Sequence, residues 1–308
     1  MSVFRAADGA LGPSGDAPKR GGAACERHSK GSVTERLSKE RPFVALAPFL
    51  RADSRVVTLG VRPTLGDYTA EERRLLRQAR RVLFPTMRFA DVLEGGGCCC
   101  FPSAATYRYQ RWRPLQWSLG AFLNLPMVRS RLCYGEKAKR EIPRMFRPPF
   151  RVLGPRSGRD PVVLVDSWAA WEAVAQQENL VIVSEWVDYR WRHDVWVAAG
   201  TVLAWRRVPW DGLSDADAIP WVLGFPDAAA SPVAERSLWV CRRAGIDDGV
   251  LVWGVRDGSE AFFFEGMKRP PPTLKNAETR STRPALIFSA LIENLDSTHD
   301  HHERGRQP

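Results

Sequence analysis

The stretch Leu180-Val-Ile-Val-Ser-Glu-Trp-Val-Asp-Tyr-Arg-Trp-Arg-His-Asp-Val-Trp-Val-Ala-Ala-Gly-Thr-Val-Leu-Ala-Trp-Arg206 decides the fold. Leu180–Val183, Val195–Ala198 and Val202–Trp205 are short runs rich in β-branched and aromatic residues, which predicts three strands. Ala199-Gly200-Thr201 is too short for anything but a tight turn, so the last two runs form a hairpin.

Downstream, the pattern predicts a helix over 232–244 that stops at Ala244-Gly245. A second hairpin follows, built from Gly249–Val255 and Ala261–Phe264 around Asp257-Gly258. A last helix from Pro284 to Leu295 presents Ile287, Leu291 and Leu295 to the core. Upstream, Val162–Val165 reads as a strand, and Asp166 or Ser167 caps a helix carrying Trp168, Trp171, Val174 and Ala175. A helix is expected over 112–124. Nearer the start, Val56–Val61 reads as a buried strand. Thr69-Ala-Glu-Glu72 is a capping box opening a helix whose apolar face is Leu75, Leu76, Ala79, Val82 and Leu83. There is no internal repeat. An α/β beginning followed by antiparallel hairpins mixed with helices gives an α+β chain, not a doubly wound sheet.

Length and composition set the limits. The chain has 308 residues, 44% hydrophobic and 26% charged, ordinary globular values that exclude a wholly disordered, collagenous or coiled-coil protein. No apolar run approaches the roughly 18–20 residues that span a bilayer, so no membrane partner is expected. The opening residues lack the apolar stretch of a signal peptide, and a cytoplasmic location is expected. The six cysteines include Cys98, Cys99 and Cys100 in a row but no C-x-x-C pair, so reduced thiols are expected rather than a disulfide framework or a metal knuckle. His28 falls in a polar leader and His299, His301 and His302 in a polar tail. The net charge is +10, and residues 101–156 alone carry twelve Lys and Arg against Glu136 and Glu141. Such a field suits a polyanion, either a nucleotide or a nucleic acid. All twelve tryptophans lie between Trp112 and Trp253 and are expected mainly in the core.

The order of elements, with several short strings, resembles the ATP-grasp superfamily and its RimK-like ligases. The strings are Val56-Val-Thr-Leu-Gly-Val-Arg-Pro-Thr-Leu-Gly-Asp-Tyr-Thr-Ala-Glu-Glu72, Phe101-Pro-Ser-Ala-Ala-Thr-Tyr-Arg-Tyr109 and Leu125-Pro-Met-Val-Arg-Ser-Arg-Leu-Cys-Tyr-Gly135. Most informative is Ser184-Glu-Trp-Val187 followed by His193–Val197 and Gly200–Arg206, similar to the family's Q-E, D-I-R-V and G-x-V-V-x-A-x-x-R series. The resemblance implies a small N-terminal α/β domain (pre-ATP-grasp-like, 55–125) followed by two α+β subdomains, a lid (126–190) and a C-terminal part (191–296). By composition, rich in Gly, Ala, Ser, Lys and Arg, residues 1–54 read as a flexible leader with room for a short docked piece at Pro42–Leu50, and residues 297–308 as a flexible tail.

It also implies ATP and Mg²⁺ as cofactors, and ligation of an acidic small-molecule, peptide or protein carboxylate to an amine or thiol through an acyl phosphate. Carried over residue by residue, Glu185 and Trp186 fall at the adenine hinge. Arg113 stands for one phosphate-holding Lys, while Leu153 replaces a second. The loop Gly154–Asp160 keeps Arg156, Ser157 and Gly158 as phosphate contacts. Asp194 and Arg206 fall near the transferred group, Arg206 as the cation for the acyl-phosphate stage. Trp196 replaces a family Arg. Glu265 is the surviving metal ligand, with Met267 in place of Asn and Val252 or Trp253 in place of Asp. The losses set a working ligase against a degenerate ATP-grasp protein acting as a binding or partner subunit, with a basic nucleic-acid-binding protein as the third class. A second carboxylate beside Glu265, with Arg113 and Arg156 facing one cleft, would favour the enzyme. A cleft filled by Leu153, Trp253 and Met267 would oppose it.

Overall fold

The computed structural model describes residues 41–210, 219–224, 231–256, 261–271 and 284–293. The leader to residue 40, Cys25, His28, the turn at Asp257-Gly258, Leu295 and the expected tail lie outside the described residues. No helix among the described residues is long and apolar enough to cross a membrane.

The first layer contains β1 (Phe43–Ala45), β2 (Val56–Thr58), α1 (Ala70–Gln78), β3 (Arg81–Leu83), α2 (Met87–Gly95) and β4 (Cys100–Phe101). The four strands form a parallel sheet in the order β2-β1-β3-β4. β1 lies within the piece read as able to dock, Pro42–Leu50, and is a central strand of this sheet, so order begins before residue 54. Phe43 and Ala45 pack with Leu83 and Phe101 on one face, while Val44 packs with Val82 and Phe89 on the other. A short strand buried on both faces has no alternation to betray it. The capping box is formed as expected: Thr69 N–H donates to Glu72 Oε2 at 2.7 Å and Glu72 N–H to Thr69 Oγ1 at 3.2 Å.

Two short helices, α3 (Ala104–Arg111) and α4 (Arg113–Phe122), lead into the second layer. This contains β5 (Ser130–Tyr134), α5 (Gly135–Arg140), α6 (Ile142–Met145), β6 (Phe150–Leu153), β7 (Val162–Val165), α7 (Trp168–Gln177) and β8 (Leu180–Glu185). The sheet is antiparallel in the order β5-β8-β6-β7. Ser167 caps α7, its Oγ accepting from the Ala170 N–H. Cys133, Phe150, Val152, Val165, Val181 and Val183 share one core with Ile142 and Trp171. Strand alternation then turns Ser130, Arg151, Leu153, Val162, Ile182 and Ser184 to the opposite face.

The third layer contains β9 (Trp191–Ala198), β10 (Thr201–Pro209), β11 (Val222–Leu223), α8 (Pro232–Ala244), β12 (Asp248–Val255), β13 (Phe262–Lys268) and α9 over 284–293. Its antiparallel sheet runs β11-β10-β9-β12-β13 and holds both expected hairpins. Gly245 ends α8 in the left-handed region at φ +64°, a conformation that favours glycine. One face of the sheet buries Val195, Val197, Leu251, Trp253, Phe264 and Met267 with Val233 and Val240 of α8. The other places Trp196, Ala204, Val250 and Val252 in the core shared with Phe43, Phe101 and Ile287. The mixed architecture is α+β, as expected.

Candidate functional site

The polar face of the second sheet and one face of the third enclose a cleft of about 880 Å³. The second sheet contributes Arg151, Leu153, Val162 and Leu164, and the third Arg192, Val208, Val252 and Glu265 to Arg269. Gln110, Arg113 and Gln116 come from α3 and α4, Ser157 and Gly158 from the loop after β6, and Trp186 from the link between the sheets. The volume suits a nucleotide-sized ligand.

Glu265 is bound across this cleft. Arg151 Nη1 lies 2.8 Å from its Oε2, and Arg151 Nη2 donates to its Oε1 at 3.2 Å. The Tyr189 hydroxyl donates to Oε1 as well. Both members of the ion pair are buried, with side chains 6% and 7% exposed. Burial and then the neighbouring Glu265 carboxylate push the Tyr189 phenol well above its ordinary range, so it remains a donor. Its ring lies where a Cβ on Gly254 would come within 2.6 Å, so glycine there permits the approach.

A similar network lies deeper. Asp194, fully buried, accepts from Arg192 Nε at 2.8 Å and from Arg206 Nε at 3.0 Å. The Arg206 guanidinium also lies over the Trp221 ring at 4.6 Å. Trp196, expected at the position of a family Arg, is a buried indole donating to Asp248 Oδ1 at 2.9 Å.

The loop after β6 is tied to the body of the protein. Arg113 Nη1 donates to the Gly154 carbonyl at 2.8 Å and Nη2 to the Asp160 carbonyl at 3.1 Å. Ser157 Oγ donates to the Met267 carbonyl at 3.1 Å. Burial pushes the Arg113 pKa below its usual value, as expected for a desolvated cation bonded mainly to carbonyls.

The sequence-derived site residues therefore divide. Arg113, Ser157, Gly158, Trp186 and Glu265 line one cleft. Arg156 does not line it, because its guanidinium pairs with Asp160 at 2.8 Å, closing the loop on itself. Glu185 is exposed at the end of β8, with its N–H donated to the Arg129 carbonyl. Asp194 and Arg206 are paired to each other beneath the surface. Leu153 lines the cleft without filling it, and Met267 borders it while its side chain joins Trp253 in the core on the opposite face.

The basic wall expected from residues 101–156 needs correction. Only Arg113 and Arg151 of that set line the cleft. Arg108, Arg140 and Arg144 pair with Asp91, Glu136 and Glu141. Arg192, Lys268 and Arg269 join the lining from the third layer.

Sequence reasoning missed Arg151, Tyr189 and Arg192. Arg151 sits two positions before Leu153, on the same face of β6, so a cation survives in the cleft one side-chain step along the strand.

A magnesium ion requires several oxygen ligands. Among the described residues the cleft lining offers one carboxylate, already bridged twice by a guanidinium, and the other two expected ligand positions hold Val252 and Met267. No cluster of three acidic, His or Cys side chains able to hold a metal exists among the described residues. The donor set among the described residues does not fit the ion.

No family model matches the sequence, and neither does any curated protein. The structure does have solved counterparts. A RimK-domain ATP-grasp protein from Sphaerobacter thermophilus aligns with a TM-score of 0.51 at 18% identity, covering 73% of this chain and 90% of that one. The ATP-grasp ligase PsnB, complexed with a minimal precursor, gives 0.54 at 12%, covering 82% and 98%. The ADP complex of PurK, N5-carboxyaminoimidazole ribonucleotide synthetase, gives 0.51 at 13%, covering 77% and 67%. At such identities the likeness is one of fold: the chain adopts an ATP-grasp fold.

Proposed function

We propose that this ATP-grasp-fold chain binds a purine nucleotide, represented by ATP, in the cleft between its second and third layers. On this proposal it acts as a nucleotide-responsive binding or partner subunit rather than as a magnesium-dependent carboxylate ligase. One observation carries the choice: Glu265, expected as the metal ligand, is neutralised by the bidentate Arg151 pair and the Tyr189 hydroxyl. Phosphoryl and acyl-phosphate chemistry depend on charge placed where the transferring group develops it. The carboxylate that lines this cleft among the described residues, Glu265, is committed to Arg151, and Trp196 falls where the resemblance expects an Arg.

Nucleotide binding is supported by the size of the cleft, by Trp186 on the link between the sheets, and by apolar Leu153, Val162 and Leu164 beside the cations. Such a wall suits a base with phosphates attached. The test is thermal unfolding with ATP and with adenosine. ATP at millimolar concentration is expected to raise the midpoint and adenosine to raise it less, because binding to the native state alone stabilises it. No shift with ATP would remove the proposal. ATP-dependent release of ADP on adding a carboxylate and an amine would restore the ligase.

A further inference from the structure

Resting on the nucleotide reading, we infer that Gln116 is a positioning residue of the cleft: its side-chain amide holds a bulge in β13 and, through the Met267 carbonyl, keeps Glu265 and the loop Gly154–Asp160 in one register. β13 departs from regular pairing at this point. Val252 faces Gly266 and Trp253 faces Phe264, so Glu265 is an extra residue in the ladder with β12. Such a bulge breaks the strict alternation of faces along a strand. Phe264 and Met267 accordingly both enter the core beside α8, although three positions apart, while Glu265 between them reaches Arg151 and Tyr189 in the cleft. Gly266 stands at φ +124°, a conformation that favours glycine.

Among the described residues β13 is an edge strand, and its bulge is held from outside the sheet. Gln116, buried on α4, donates from Nε2 to the Met267 carbonyl at 2.9 Å and accepts the Met267 N–H at Oε1 at 3.0 Å. The amide thus pairs with both main-chain groups of one residue, as a neighbouring strand would. Its other Nε2 hydrogen goes to the Tyr109 carbonyl at 2.6 Å, and only this orientation of the amide matches two carbonyls and one N–H. A Cβ on Gly266 would lie 2.7 Å from Gln116 Oε1, so the close approach also requires glycine. Ser157 Oγ donates to the same Met267 carbonyl at 3.1 Å, which fastens the loop to the strand that carries Glu265. The loop is held on its other side too, where Arg113 N–H donates to the Pro155 carbonyl at 2.8 Å and Ser157 N–H to the Arg111 carbonyl at 2.9 Å. Gln116 borders the cleft, but its amide hydrogens are used within the protein, so it acts on a ligand through Ser157 and Glu265.

The experiment is calorimetric titration of the full chain with ATP and with adenosine, for the unaltered protein, Gln116→Leu and Gln116→Glu. Circular dichroism of each variant checks folding. Gln116→Leu should bind ATP about five- to tenfold more weakly, the worth of one hydrogen bond no longer aligned, and lose less toward adenosine, because on the nucleotide reading the loop serves the phosphates. Gln116→Glu adds a pH signature. Ionised, its carboxylate faces two carbonyls and cannot donate; protonated, it again offers Met267 one donor and one acceptor. Burial raises the pKa of such a carboxyl, so its ATP affinity relative to the unaltered protein should recover as pH falls from about 8.5 to about 6. A pH-independent ratio, equal losses for ATP and adenosine, or unchanged ATP binding by Gln116→Leu would overturn this inference and leave the nucleotide reading intact. No ATP binding by the unaltered protein would overturn both. If neither variant folds, hydrogen exchange in the unaltered protein decides. ATP should slow the amides of 154–160 and 265–267 together, and slowing of the loop alone would overturn the coupling.

Discussion

The apolar and the charged lining of the cleft contrast in what they keep. Ile182, Val128, Leu153 and Trp186 supply apolar wall of the kind many packing contacts can build. Beside them Arg151 is paired with Glu265, and Val252 and Met267 stand at the other expected ligand positions. Shape depends on many weak packing contacts and tolerates drift. A metal site depends on a few ligands at once and fails when two are replaced.

The largest expected effect comes from breaking the charged lining. Arg151→Met leaves Glu265 buried without its cation, and urea unfolding should show a loss of about 3–5 kcal/mol. The double variant Arg151→Met/Glu265→Leu should cost much less than the sum of the single changes, because both charges leave together. Additive losses would show that the pair does not couple the two sheets. Next comes Gly254→Ala, which places a methyl within 2.6 Å of the Tyr189 ring and should cost about 2 kcal/mol by overpacking. If that variant is neutral, Tyr189 is free to shift and does not position Glu265.

The smallest effect lies on the far face of the third sheet. Burial and the nearby Arg207 lower the His193 pKa to about 4. The unfolded chain takes up a proton near pH 6.5 while the native state resists it, so stability is lost as pH falls from about 6.5 to about 4. His193→Gln should lose about 1–2 kcal/mol less than the parent over that window, allowing for partial solvent access. Parallel pH profiles for the two proteins would refute the assignment.

What was legible in the sequence follows the range of the interactions. The hairpin around Ala199-Gly200-Thr201, the α8 stop at Gly245 and the Thr69/Glu72 capping box are local and formed as read. The segment holding β1 reads as a docked piece but not as a strand, because its three residues are buried on both faces, leaving no period to detect. Comparison position by position showed Leu153 where a cation was expected. It missed Arg151 because the face of β6 becomes visible only when Phe150 and Val152 are seen to point into the core. Glu265 could be identified as an acid, but its partners Arg151 and Tyr189 lie 114 and 76 residues away. No local pattern announces such a pairing.

The central proposal is that the cleft between the second and third layers binds a nucleotide. The shift of the thermal midpoint with millimolar ATP tests it most directly. The account predicts a rise larger than that with adenosine; no shift with ATP would contradict it.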